Sequence, residues 1–121
     1  MISNRTKLKI AAVFFLIETV LLFYFSVASL PAAEPAPGLR LGDMEHFVAY
    51  LIYGILAERV LSYTKFRNHR WSLALLIAVA VGGLNEVIQA FVPGRVTDVL
   101  DFAYDGAGAI VGVTIFRFLK N

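Results

Sequence analysis

The 121-residue chain contains no cysteine, which excludes disulfides, thiolate metal centres and cysteine nucleophiles. Charge is scarce too. Charged residues make up 17% of the chain against 59% hydrophobic, and mean hydropathy is +0.72. Soluble domains hold roughly 45–50% apolar residues, so a water-soluble monomer does not fit this composition. High apolar content with a net charge of only +2 equally excludes intrinsic disorder. Internal repeats and low-complexity tracts are missing, and the length fits one domain, residues 1–121. The basic residues are scattered rather than gathered in a stripe, which argues against a nucleic-acid partner.

What is present is a set of long apolar runs. Four segments read as helices, at 8–29, 44–63, 71–92 and 99–119, each of about 20 residues, and a 20-residue helix spans about the 30 Å of a bilayer core. Pro31, Pro35, Pro37, Gly38 and Gly42 break the chain between the first two, and Pro93-Gly94 makes a tight turn between the last two. Asn68 and the charges around it separate the middle pair. These features predict an all-α bundle of four transmembrane helices.

Lys and Arg near membrane ends are retained in the cytoplasm, so the charges predict an orientation. Arg5, Lys7, Lys9, Arg59, Lys65, Arg67, Arg70, Arg117 and Lys120 fall on one side of a four-pass arrangement, and only Arg40 and Arg95 on the other. With the acidic residues included, the two sides carry +8 and −5 and Glu18 contributes −1 near the middle, which together restore +2. Both chain ends are therefore expected in the cytoplasm, with the chain in an inner (plasma) membrane. A cleavable signal peptide is the rival reading of residues 1–33. Its apolar run is longer than such a peptide needs, and Glu18 would have no purpose in a discarded segment. The weakest span is the second, whose uninterrupted apolar part covers only residues 47–57. If it failed to cross, the basic cluster at 59–70 would lie outside.

Helical spacing makes three segments polar at the outer end and small-residued toward the cytoplasm. Segment two aligns Asp43, His46, Tyr50 and Tyr53 with Gly54 and Ala57. Segment three aligns Ala78 and Gly82 with Asn85, Glu86 and Gln89. Segment four aligns Asp98, Asp101 and Asp105 with Gly108 and Gly112. Small residues let helix backbones approach closely in a bilayer, and polar ends that cannot face lipid are expected to face one another across an outward-opening cleft.

The strings at 42–50 (GDMEHFVAY), 85–95 (NEVIQAFVPGR) and 101–108 (DFAYDGAG) resemble the VanZ-like family of small bacterial membrane proteins. The family takes its name from a protein conferring resistance to the glycopeptide teicoplanin. The resemblance runs from about Gly42 to the C-terminal end, with segment one matching only as a leading helix. It implies functional roles for Asp43, His46, Tyr50, Glu86, Gln89, Arg95 and Asp101. Two departures, Asp105 where the family pattern usually has Asn and Met44 where a Lys often stands, make the cleft more acidic and argue against carrying over an anionic ligand.

Each candidate residue has a plainer reading beside the functional one. Asp43 can cap its helix; near His46 it would hold the ring tautomer and make His46 a general base or metal ligand. Glu86 can hydrogen-bond with Gln89 between helices, or transfer protons. Arg95 is expected to pair with an aspartate rather than clamp a phosphate. Asp98, Asp101 and Asp105 repel one another unless Arg95, a shared proton or a divalent cation relieves them. The string DGAGA at 105–109 lacks the remaining carboxylates of the lipid phosphatidyltransferase motif and is rejected. Glu18 is expected to make a neutral interhelical contact. It also supports a small multidrug-transporter reading, which the strong charge bias opposes.

The leading expectation is an envelope membrane protein whose cleft engages a lipid headgroup, a lipid-linked cell-wall precursor or an antibiotic. The alternatives are a cleft enzyme acting on a lipid-linked phosphate or acyl group, with His46, Glu86 and Asp101 as its catalytic groups, and a small transporter subunit. Asp43, Tyr50, Asn85, Gln89, Arg95, Asp98 and Asp105 are the expected binding residues, with a divalent cation as the conceivable cofactor and membrane lipids as partners.

Overall fold

A computed structural model describes residues 1–28, 41–94 and 99–120, with the side chains of residues 41–43 and 120 outside the described set. Among these described residues are four α-helices: α1 (Asn4–Val27), α2 (Leu41–Ser62), α3 (Arg70–Ala90) and α4 (Val99–Lys120), with a 3-10 turn at Arg67–His69 before α3. The first helix begins earlier than its apolar run because Ser3 caps it, its hydroxyl accepting from Thr6 N–H at 3.1 Å. The third ends at Ala90, where Phe91 and Val92 N–H donate to Ile88 and Gln89 carbonyls. Pro93 follows, and Gly94 takes the left-handed φ of 80° that the turn requires.

Contacts fix the relative directions. Gly108 of α4 lies against Phe47 of α2, and Gly112 against Leu51, so both numbers rise together and the two helices run parallel. A Cβ at Gly108 or Gly112 would run into α2 backbone, and one at Gly54 would sit 2.8 Å from the Ala109 carbonyl oxygen. This glycine-lined seam is the closest helix pairing, and it follows the small-residue stripe of segment four. Helix α3 runs the opposite way, with Ala74 beside Ala57 and Val113, and Asn85 beside Tyr50. Helix α1 is also antiparallel to α2. Phe15 stacks on Tyr53 with ring centroids 4.8 Å apart, and Thr19 Oγ1 lies 3.0 Å from the Tyr53 hydroxyl. The buried core consists of Tyr50, Tyr53 and Val113 among alanines 57, 74, 78 and 109.

The outside is apolar. Val13, Phe14, Leu16, Ile17 and Val20 of α1 are exposed, as are Met44, Val48 and Ile52 along one face of α2. Among the described residues, three helices are long and apolar enough to cross a membrane: Asn4–Val27, Arg67–Ala90 and Val99–Leu119. That is one fewer than the four expected. The exception, α2, has the length, with 22 residues, but every 18-residue stretch of it carries at least three of Asp43, Glu45, Glu58 and Arg59. The charges that made this segment doubtful in sequence thus keep it below the standard its neighbours meet. An apolar exterior on three membrane-length helices makes this a membrane protein.

Candidate functional site

The parallel pairing of α2 with α4, and the opposite run of α3, bring their polar ends together. His46 on α2 places Nδ1 2.7 Å from Oδ1 of Asp105 on α4. The carboxylate accepts, so Nδ1 carries the hydrogen and Nε2 remains available to a ligand. Asp105 is 2% exposed, while His46 is half-buried. Glu86 on α3 completes a group of three: one ligand-type atom from each of His46, Glu86 and Asp105 lies within 4.8 Å of the others. An imidazole and two carboxylates at that spacing are side chains that can hold a divalent cation, or exchange protons with a bound molecule.

A second polar pair borders the first. Asn85 Nδ2 donates to the Tyr50 hydroxyl at 2.6 Å, with both residues buried. Asn85 Oδ1 has no hydrogen-bond partner among the described residues, and neither has Oδ2 of Asp105. Beside this pair opens a cavity of about 500 Å³ between α1, α2 and α3. Its polar wall is formed by His46, Tyr50, Asn85 and Gln89, and its apolar wall by Leu21, Leu22 and Phe25 of α1. Glu18 and Ser26 of α1 and Glu45 of α2 add polar atoms to the lining.

Of the expected site residues, His46, Glu86 and Asp105 come within 4.8 Å of one another, and Tyr50, Asn85 and Gln89 line the adjoining cavity. Asp101 is half-buried one turn before Asp105 and belongs neither to the group of three nor to the cavity lining. Arg95 and Asp98 lie outside the described residues, as does the side chain of Asp43. Asp105, 59 positions away, holds His46 Nδ1, while the side chain of Asp43, to which the spacing within α2 pointed, lies outside the described residues.

Sequence reasoning missed two features. The first is the wall contributed by α1. Glu18, Leu22 and Ser26 share a face at intervals of four, so Glu18 belongs to a stripe instead of standing alone. The second lies at the opposite end of the bundle, where Glu58 is completely buried and accepts from Arg70 Nε at 3.1 Å. Its signal was a single acid amid bases, four residues after Gly54 on the buried stripe of α2.

The chain matches no curated protein and no solved structure. A family model described as VanZ/LLP1 matches residues 6–120, reaching back through α1 where the motifs alone had begun at Gly42. The chain belongs to the VanZ-like family.

Proposed function

We propose that this protein crosses the bacterial inner membrane four times with both ends cytoplasmic, and that its cleft engages the headgroup of a membrane lipid or lipid-linked cell-wall precursor from the outer side. Support for the fourth crossing comes from where the charges of α2 point. Between Glu45 and Glu58 the helix has no charged residue, its outer face carries Met44, Val48 and Ile52, and Glu58 is turned inward onto Arg70. A short apolar span is tolerable in a helix packed against the other three, where protein covers part of its surface. The nine basic residues on the side of Arg59 and Arg70 support the orientation.

The observation that carries the ligand reading is the mixed lining of the cavity, which joins Leu21, Leu22 and Phe25 of α1 to His46, Tyr50, Asn85 and Gln89. The cavity's volume of about 500 Å³ is in the usual range for small-molecule sites, and its lining suits an amphiphile whose headgroup sits by the polar groups and whose chain lies along α1. A whole glycopeptide antibiotic is far larger. A resistance role, which the family name suggests, would then run through the lipid-borne ligand instead of capture of the drug.

One observation favours an enzymatic second reading. The 2.7 Å contact to Asp105 leaves His46 Nε2 able to take a proton from a ligand, with Glu86 close enough to supply another.

Mass spectrometry of lipids retained by protein purified in mild detergent tests the ligand reading. Leu21→Trp, at an exposed position on the apolar wall, is expected to reduce a specifically retained lipid, and Gln89→Leu to alter which headgroup is kept. Equal retention by the parent and both variants would remove the headgroup reading. Conversion of the retained lipid by the parent but not by His46→Ala would establish the enzymatic one.

A further inference from the structure

The hydrogen bond between His46 and Asp105 does not account for everything around it. Asp105 is 2% exposed, and its second oxygen, Oδ2, is buried with no hydrogen-bond partner among the described residues. That oxygen faces α3: an ideal Cβ on Gly82 would lie 3.4 Å from it, and Gly82 is one turn before Glu86 on the same helix face. A second carboxylate is thus brought to the unsatisfied side of the first. A buried carboxylate oxygen without a partner is costly in a poorly solvated site.

We propose that His46, Glu86 and Asp105 form a binding site for one first-row divalent transition-metal ion of the zinc or manganese type. A neutral imidazole with two carboxylates and a divalent ion sums to zero charge, which suits the interior of a membrane protein. The nitrogen ligand selects the class of ion, because calcium and magnesium prefer oxygen ligands only, while zinc and manganese accept imidazole with carboxylate. The fit needs small movements. Donor atoms about 2.0–2.2 Å from a zinc ion lie roughly 3.3 Å from one another in a tetrahedral site, and the observed group runs from 2.7 Å to within 4.8 Å. The ion takes the place of the hydrogen shared by His46 and Asp105, and that hydrogen moves to Nε2, so the imidazole stays neutral. Three protein ligands leave at least one coordination position open, and His46 also borders the cavity. The site stands on these side chains and goes beyond the headgroup reading. Were both present, the ion would remove the negative charge that otherwise opposes an anionic headgroup.

The test uses the full chain, free of any polyhistidine tag, in detergent and stripped with a chelator. Equilibration with zinc, manganese, calcium or magnesium, followed by elemental analysis and calorimetry, is expected to show about one equivalent of zinc or manganese bound. Glu86→Gln and Asp105→Asn should each weaken binding at least tenfold, whereas His69→Asn, which removes the exposed imidazole at the far end, should not. Because Asp105→Asn could fail to fold, cobalt uptake by the parent serves as a second readout. Visible absorption of a four- or five-coordinate ion, abolished by zinc, is the expected result. No stoichiometric uptake by the parent, uptake of calcium or magnesium alone, or unchanged affinity in folded Glu86→Gln would overturn the site. Lipid retention measured on the same samples separates the two readings: lipid kept without metal removes the metal site alone, and metal kept without lipid removes the headgroup reading alone.

Discussion

His46 Nδ1 and Asp105 Oδ1 stand 2.7 Å apart, one helical turn from Gly108, where the backbones of α2 and α4 meet. The two features depend on each other. An aspartate side chain is short, and it reaches a neighbouring helix only if the helices approach more closely than larger residues would permit. Glycines 108 and 112 allow that approach, so the small-residue stripe and the polar contact are parts of one device.

A double-mutant cycle measures the contact. His46→Ala and Asp105→Ala should each lower thermal stability in detergent, by about 1.5–3 kcal/mol if the bond is to a charged group. The double variant should lose less than the sum, with a coupling of about 0.5–3 kcal/mol. Strict additivity would mean that the two side chains do not interact in the folded protein.

The glycines supply a comparison within one helix. A Cβ at Gly112 would collide with the backbone of Leu51, so Gly112→Ala should destabilise the protein, and Gly112→Leu should do so more strongly, by about 1–3 kcal/mol or above. Gly106 has open space around its missing Cβ, and Gly106→Ala should be neutral or stabilise by up to about 1 kcal/mol through helix propensity. Thermal unfolding of the two alanine variants side by side decides the matter, since equal shifts would contradict the seam.

At the other end, the completely buried carboxylate of Glu58 accepts from Arg70. Arg70→Ala removes a donor to a buried charged group and should cost about 1.5–3 kcal/mol, while the neighbouring exposed Arg67→Ala should change stability by less than about 0.5 kcal/mol. Similar melting temperatures for these two variants would show that the ion pair contributes nothing to the fold.

Much of this arrangement was legible in the sequence because apolar runs, breakers and helical spacing are local signals. The stripe 46, 50, 53, 54 and 57 predicted which side of α2 is buried, and Gly108 with Gly112 predicted its partner surface on α4. The partner of His46 was not legible. Spacing within one helix offers only neighbours three or four residues away, and the contact with Asp105 depends on how α2 and α4 slide against each other. The contribution of α1 to the cavity was hidden for a different reason. That helix is apolar almost all round, so few polar residues mark the side that faces the bundle.

The last prediction concerns the crossing of α2, which its composition alone leaves below the standard of the other helices. The chain has no cysteine, so a single introduced thiol reports one position without background. If α2 spans the membrane, Ala36 before it and Asn68 after it lie on opposite sides. If α2 only dips into the bilayer, both lie on the same side, and the basic residues at 59, 65, 67 and 70 share it with Arg40. Retention of basic loops in the cytoplasm favours the first arrangement. Ala36→Cys should therefore react with a membrane-impermeant thiol reagent in intact cells, and Asn68→Cys only after the membrane is opened. Labelling of Asn68→Cys alone in intact cells would invert the orientation and keep the crossing, whereas equal labelling of both positions would leave three membrane-spanning helices and overturn the fourth crossing.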